Sequence, residues 1–254
     1  MTSSPQGRNA RPSGSVGSCV KVEIWSDVVC PWCFVGKRRL EAALADFEHG
    51  EQVEVVYRSF QLDPSAPQHG HELTTPMLAR KYGRSEAEMR QMQQQLTDLA
   101  AEEDLAFRLQ ETLHTRTIDA HRLLHLALAE GGPALQATLK ESLLSAYFED
   151  AQDVGDHAVL RREALSVGLD AERVDEVLAG EEYADAVVAD IDAAMDLGVS
   201  GVPFFVVGGR YAVSGAQPTD VFARVLQQAW EESRPTVAVV AGGDADVCGV
   251  DGSC

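Results

Sequence analysis

Val22 and Ile24 alternate with Lys21, Glu23 and Ser26, and Trp25 interrupts the alternation, which predicts a short strand over 21–26. Pro31 is suited to the first turn of a helix, where its missing N–H costs nothing. Phe34, Val35, Leu40, Ala43, Leu44 and Phe47 then recur at helical spacing to about Glu48, with Gly50 as the stop. Val53, Val55, Val56, Tyr57 and Phe60 mark a second strand over 52–60. A parallel strand pair joined by one helix is the economical reading. From 64 to 198 the pattern is helical almost throughout. Segments are expected at 76–82, 85–104, 119–130, 133–150, 157–167, 171–179 and 182–197, separated by Gly83, Gly131-Gly132, Gly155, Gly168 and Gly180. Strand signals return at Phe204–Val207 and Tyr211–Val213, with Gly208-Gly209 as a two-residue turn. A closing helix is expected over 217–230. The order βαβ, helices, ββα predicts an α/β domain made of 21–63 and 199–231, interrupted by an all-helical insertion at 64–198. Residues 1–20, rich in Ser, Gly, Pro and Arg, and the acidic, Gly-rich stretch 232–254 are expected to be flexible tails.

Composition fits a globular chain of 254 residues, with 45% hydrophobic and 24% charged positions. Charge narrows the partners. Twenty-one basic against forty acidic residues leave a formal net charge of −19, which repels phosphate backbones and anionic lipid. Neither nucleic acid nor a membrane is an expected partner. No stretch approaches the roughly 20 apolar residues of a membrane span. The first 18 residues lack the apolar core of a secretory signal, so the cytoplasm is the expected compartment.

The five cysteines stand at 19, 30, 33, 248 and 254. A secreted disulfide scaffold would use cysteine more densely, so reactive thiols are the better reading. Cys30 follows the first strand at the start of a helix, where unpaired N–H groups and the helix dipole favour a thiolate. Cys33 lies one turn later, within reach of Cys30 and expected to be the more covered of the two. That is the arrangement of an attacking and a resolving thiol. A zinc site would need two further ligands, and none stands at ligand spacing; no metal is expected. His121 and His125, four residues apart, read as packed or surface histidines. Asp27 fits two roles, a proton relay to Cys33 or a cap on the loop.

The segment VEIWSDVVCPWCFVGKRRLE (22–41) resembles the active-site entry of the DsbA-like branch of the thioredoxin superfamily, most of all its FrnE-type subgroup. AHRLLHLA (120–127) and GVSGVPFFVVGGRYAVSGAQP (198–218) are similar to that subgroup's central helix and to its hairpin. The likeness runs from about Val22 to Trp230. It implies a thioredoxin fold with a helical insertion and a protein disulfide oxidoreductase or isomerase. The working group is then a redox-active disulfide rather than a prosthetic cofactor, with glutathione a candidate co-substrate. Protein thiols or disulfides and a thiol reductant or oxidant are the implied partners. The resemblance also implies that Pro203 is a cis proline facing the cysteines, leaving the backbone of Val202 free to pair with substrate. Pro31 and Trp32 complete the active-site loop. DsbA proteins carry His where Trp32 stands, and Trp32 cannot hold a charge, so weaker thiolate stabilisation is expected here. Trp32 offers an apolar platform for substrate or is simply half-buried.

An alternative lies in the 2-hydroxychromene-2-carboxylate isomerases and kappa-class glutathione transferases. These typically carry Ser at the position of Cys30 and Asn where Arg116 or Thr117 stands, which disfavours that reading. FrnE-type proteins also have a C-terminal cysteine pair, usually spaced one residue more tightly than Cys248 and Cys254. From Glu231 the tail to Cys248 spans about 55–60 Å when extended, at roughly 3.3 Å per residue, enough to reach Cys30. The tail pair is therefore a candidate accessory redox pair. Cys19 is assigned no role.

Overall fold

Strand β1 (Val20–Ser26) is flanked on one side by the parallel strand β2 (Val53–Ser59) and on the other by the antiparallel strand β3 (Phe204–Val207). Strand β4 (Tyr211–Ser214) completes a four-stranded sheet in the order β2-β1-β3-β4. The computed structural model describes residues 20–233; Cys19, Cys248, Cys254 and both expected tails, apart from their innermost residues, lie outside the described residues. Helix α1 (Pro31–Asp46) makes the crossover from β1 to β2, and α8 (Thr219–Ser233) closes the chain. Between β2 and β3 stand α2 (Thr74–Tyr82), α3 (Glu86–Ala101), α4 (Ile118–Phe148), α5 (His157–Ser166), α6 (Ala171–Ala179) and α7 (Ala184–Asp196). This is the mixed α/β thioredoxin arrangement expected from the sequence. Among the described residues no helix is long and apolar enough to cross a membrane.

Of the boundaries that differ from expectation, three have a clear physical reason. Strand β1 starts at Val20, one residue inside the expected tail, because Val20 is buried in register with Val53. Helix α8 runs to Ser233 rather than Trp230. Trp230 is buried against Phe47 and stacked on His49 at 4.1 Å, which holds the last turn down. The two central helices expected either side of Gly131-Gly132 are both present, as the two halves of α4. Its halves meet at Gly132, whose φ of 69° and ψ of −167° interrupt the helix just before Pro133. The β3–β4 connection holds three residues rather than two. Gly208 and Gly209 take φ of 61° and 67°, Arg210 N–H closes onto the Val207 carbonyl, and pairing resumes at Tyr211.

Helix α1 serves two cores. Leu40 and Ala43 pack with Val22, Ile24, Phe205 and Phe222 around the sheet. Phe34 and Val35 instead join Leu123, Leu126, Leu143 and Phe148 of the helical region. The helix that carries the cysteine pair is thereby clamped from both sides. The free edge of β2 is closed by Gln136 of α4, whose side-chain amide exchanges two 2.9 Å hydrogen bonds with the backbone of Tyr57. This satisfies a strand edge without another strand.

Gly36 sets how close α1 lies to the segment before β3. A Cβ there would stand 3.1 Å from Pro203 Cγ and 3.2 Å from Phe205 Cζ. Gly36→Val is expected to cost about 1–3 kcal/mol through overpacking, read as a drop of several degrees in the thermal midpoint. An unchanged midpoint would mean that this contact gives way without strain.

Candidate active site

Cys30 occupies the N-cap of α1, with φ −98° and ψ 112°, and Pro31 follows at the first helical position. The strand-to-helix connection is tightened by the Cys30 N–H on the Asp27 carbonyl (3.4 Å) and the Cys33 N–H on the Cys30 carbonyl (3.0 Å). The N-cap position sets the sulfur at the positive end of a 16-residue helix, where it accepts no capping hydrogen bond. Both cysteines are free thiols. The Cys30 thiol donates to the Val202 carbonyl at 3.5 Å, across the cis Val202–Pro203 peptide. Five of the expected residues, Cys30, Pro31, Trp32, Val202 and Asp27, thus border one cleft of about 360 Å³. Pro203 packs behind it, against α1.

Cys33 is not more covered than Cys30; the two are equally buried, at 4% exposure. What separates them is direction, since Cys30 lines the cleft and Cys33 does not. Burial pushes the Cys33 thiol well above the ordinary cysteine value, and the hydrogen bond and charge of Cys30 push the same way; Lys140 opposes them. Trp32 is 41% exposed at the cleft rim, where Leu62, Met77, Leu78 and Tyr82 add further apolar wall.

Asp27 is almost wholly buried. Its Oδ1 accepts from Val28 N–H at 2.8 Å and lies 3.2 Å from His121 Nε2, and its Oδ2 accepts from Leu62 N–H at 2.8 Å. Burial opposes its ionisation, but the hydrogen bonds from His121 and the Leu62 N–H outweigh it and hold the carboxyl below its ordinary value. His121 is pushed down by burial more than Asp27 pulls it up, so it is neutral at pH 7 and donates from Nε2. His125 sits 3.1 Å from both Ser59 Oγ and Asp190 Oδ2. The two histidines are thus packed, each on its own carboxylate. Among the described residues no group of three or more His, Cys, Asp or Glu is placed to hold a metal.

Two neighbours of the pair escaped the sequence reading, His121 as the partner of Asp27, and Lys140. The signal for Lys140 was a lysine standing in the apolar stripe of Leu143, Leu144 and Tyr147 on α4.

Comparison with known proteins agrees with this fold. The family model described as DSBA-like thioredoxin domain matches residues 21–227. The crystal structure of the probable DsbA oxidoreductase SCO1869 from Streptomyces coelicolor is similar to this chain. It shows 45% identity and a TM-score of 0.80, covering 92% of this chain and 98% of its own. YwbO, an uncharacterised protein of Bacillus subtilis (strain 168), is 28% identical over 213 residues, which are 82% of this chain and 96% of YwbO. At 17% identity, the cytosolic disulfide reductase DsbM from Pseudomonas aeruginosa, crystallised with glutathione, shares the fold. Its TM-score is 0.55, with 82% of this chain and 98% of DsbM covered.

Proposed function

Because this chain belongs to the DSBA-like thioredoxin domain family, we propose that it is an enzyme exchanging thiols and disulfides in protein substrates through Cys30 and Cys33. The observation that carries the reading is the division of labour between two sulfurs on one helix turn. Cys30 stands at the helix N-cap facing the cleft, and Cys33 is turned away from it. Cys30 attacks a substrate disulfide, the bond between the two substrate sulfurs breaks, and one substrate chain stays bound to Cys30. Cys33 then attacks the Cys30 sulfur, closes the Cys30–Cys33 disulfide and releases the second substrate thiol. In the opposite direction a substrate thiolate attacks the Cys30 sulfur of the oxidised pair.

The apolar wall of the cleft supports polypeptide substrates, whose backbone would lie against Val202 while apolar side chains meet Trp32, Leu78 and Tyr82. Asp27 serves the site as an anchor, since both its oxygens are engaged. In a compartment that keeps thiols reduced, such as the cytoplasm, the net direction is reduction or isomerisation. Glutathione, the thiol present with DsbM, is the reductant we expect to restore the dithiol.

The test is reduction of insulin disulfides by dithiothreitol, followed as turbidity, with and without catalytic amounts of the protein. Marked acceleration is expected, together with faster alkylation of Cys30 than of free cysteine. If insulin reduction proceeds at the dithiothreitol rate and Cys30 alkylates like free cysteine, the reading is wrong.

A further inference from the structure

Two buried lysines lie near the cysteine pair, and they differ in one respect. Lys37 of α1 is 4% exposed and is held by two carboxylates, Glu41 and Glu141, each at 2.5 Å. Lys140 of α4 is 1% exposed, and its Nζ has no hydrogen-bond partner among the described residues. A buried ammonium without a counter-ion or hydrogen bond is costly, and such a group does better by giving up its proton. The position is enforced by the fold. Gln136, one helical turn earlier, is bolted to the backbone of Tyr57, and this places Lys140 Nζ 5.9 Å from the centre of the Tyr57 ring.

The groups acting on Lys140 come from several elements. Cys33 and Lys37 of α1 and Cys30 at its cap bear on it, as do Asp27 of the preceding loop and Tyr57 of β2. His121, on the other half of α4, also feels its charge. Burial lowers the amine below its ordinary value, while Cys33, Asp27 and Cys30 pull it back up and Lys37 opposes them. Asp27 is already committed to His121, Val28 and Leu62. Acidic groups on the other helices packed against α4 are engaged elsewhere. Glu163 of α5 is held by Ser142 and Arg162, Glu176 of α6 by Arg173, and Asp190 of α7 by His125 and Arg58. The strongest pull on Lys140 comes from the Cys33 thiol, which is not hydrogen-bonded to it in this state and has the complementary problem: a buried thiol that must become a thiolate.

We propose that Lys140 accepts the proton of Cys33 when that thiol resolves the mixed disulfide on Cys30, an inference that rests on the dithiol reading above. The neutral pair, amine and thiol, is the form that burial favours. On resolution the S–H proton passes to the Lys140 amine, and the Cys33 sulfur bonds to the Cys30 sulfur. The bond from Cys30 to the substrate sulfur breaks with its electron pair on the substrate, and the departing thiolate takes up a proton from the ammonium or from water. Two enzyme thiols are oxidised and one substrate disulfide is reduced. In the oxidising direction Lys140 returns the proton to Cys33. Lys140 thus acts through Cys33 as a positioning residue.

The experiment uses the full-length chain with Cys19, Cys248 and Cys254 replaced by Ser, mixed in its reduced form with 5,5′-dithiobis(2-nitrobenzoate). The first equivalent of released thionitrobenzoate reports attack by Cys30, and the second reports resolution by Cys33. Lys140→Met is expected to leave the first phase unchanged, which also shows that the variant is folded. The second phase should slow on the order of 10²-fold at pH 7. With Lys140 present, the second phase should reach its plateau below pH 9. In Lys140→Met it should keep climbing about tenfold per pH unit through pH 9, because Cys33 must then ionise alone. Lys140→Arg keeps a charge that favours the Cys33 thiolate but cannot accept its proton, so it should stay slower than the parent.

A second phase that is equally fast in Lys140→Met, or restored by Lys140→Arg, overturns the proposal while leaving the dithiol reading intact. So does a second phase in the parent that still climbs at pH 9, whatever the variants do. A parent with no first phase faster than free cysteine overturns both.

Discussion

Replacing Cys30 with Ser is expected to lower insulin-reduction turnover by about 10³-fold or more, equivalent to roughly 4 kcal/mol of lost transition-state stabilisation. A serine hydroxyl does not exchange with disulfides, so the question is whether Cys33 can take over. The structure argues that it cannot. Cys33 is absent from the cleft wall, and burial holds its thiol well above the ordinary cysteine value. Nucleophilic attack requires the thiolate, so a buried sulfur that ionises late and faces away from substrate fails on both counts. The converse variant, Cys33→Ser, should behave differently. Cys30 still attacks, but nothing resolves the intermediate, and a mixed disulfide between Cys30 and substrate accumulates. Mass spectrometry of non-reduced protein distinguishes the two: an adduct in Cys33→Ser and none in Cys30→Ser. Equal adducts in both variants would mean that the two sulfurs are interchangeable, and the assignment of roles would fall.

The parts of this site that could be read from the sequence are those built within one strand–helix connection. The alternation of 21–26, Pro31 at a helix start and the spacing of Cys30 and Cys33 place the pair at a helix N-terminus without any knowledge of the rest. The Phe204–Val207 hairpin announced itself in the same way, by its own glycines. What could not be read depends on approach between distant segments. Asp27 meets His121 across 94 positions, and Gln136 reaches Tyr57 across 79. No local period encodes either contact. His121 and His125 share a helix face and read alike in the sequence, as packed or surface histidines, yet each answers a different carboxylate. Lys140 is hidden in the sequence for a similar reason. A lysine in an apolar stripe looks like a snorkelling surface residue until the fold shows no route for its amine to water. The central helices show the opposite case. Gly131, Gly132 and Pro133 are a sound local signal for a break, and the two halves of α4 do meet at a kink at Gly132.

Asp27→Ala is the substitution expected to damage stability most among those touching the site. The carboxylate ties three separate segments beneath Cys30: its own loop through Val28, the segment after β2 through Leu62, and α4 through His121. Alanine leaves the buried Val28 N–H, the part-buried Leu62 N–H and a buried imidazole without their acceptor. Removing one member of a buried charged network of this kind costs about 3–5 kcal/mol. The same network dictates how the protein responds to acid. Asp27 has its folded value lowered, so it contributes stability above the ordinary carboxylate range, and that contribution disappears as pH falls through the folded value. His121 is also lowered, by burial, which makes it the first of the two to act. Below about pH 6.5 the unfolded imidazole binds a proton that the folded one refuses, and stability falls with a limiting slope of about 1.4 kcal/mol per pH unit for one proton. Guanidinium unfolding followed by tryptophan fluorescence at pH 7, 6 and 5 reads the His121 effect, and extending the series to pH 4 and 3 reads that of Asp27. The parent should weaken steadily over that range, and His121→Gln, a neutral donor that does not titrate, should flatten the part of the slope due to this imidazole. If Asp27→Ala unfolds within about 1 kcal/mol of the parent at pH 7, the three hydrogen bonds do not hold the loop. If His121→Gln keeps the full acid slope, the imidazole beneath the cysteines is charged in the folded protein after all, and Asp27 is balancing a cation rather than receiving a neutral donor.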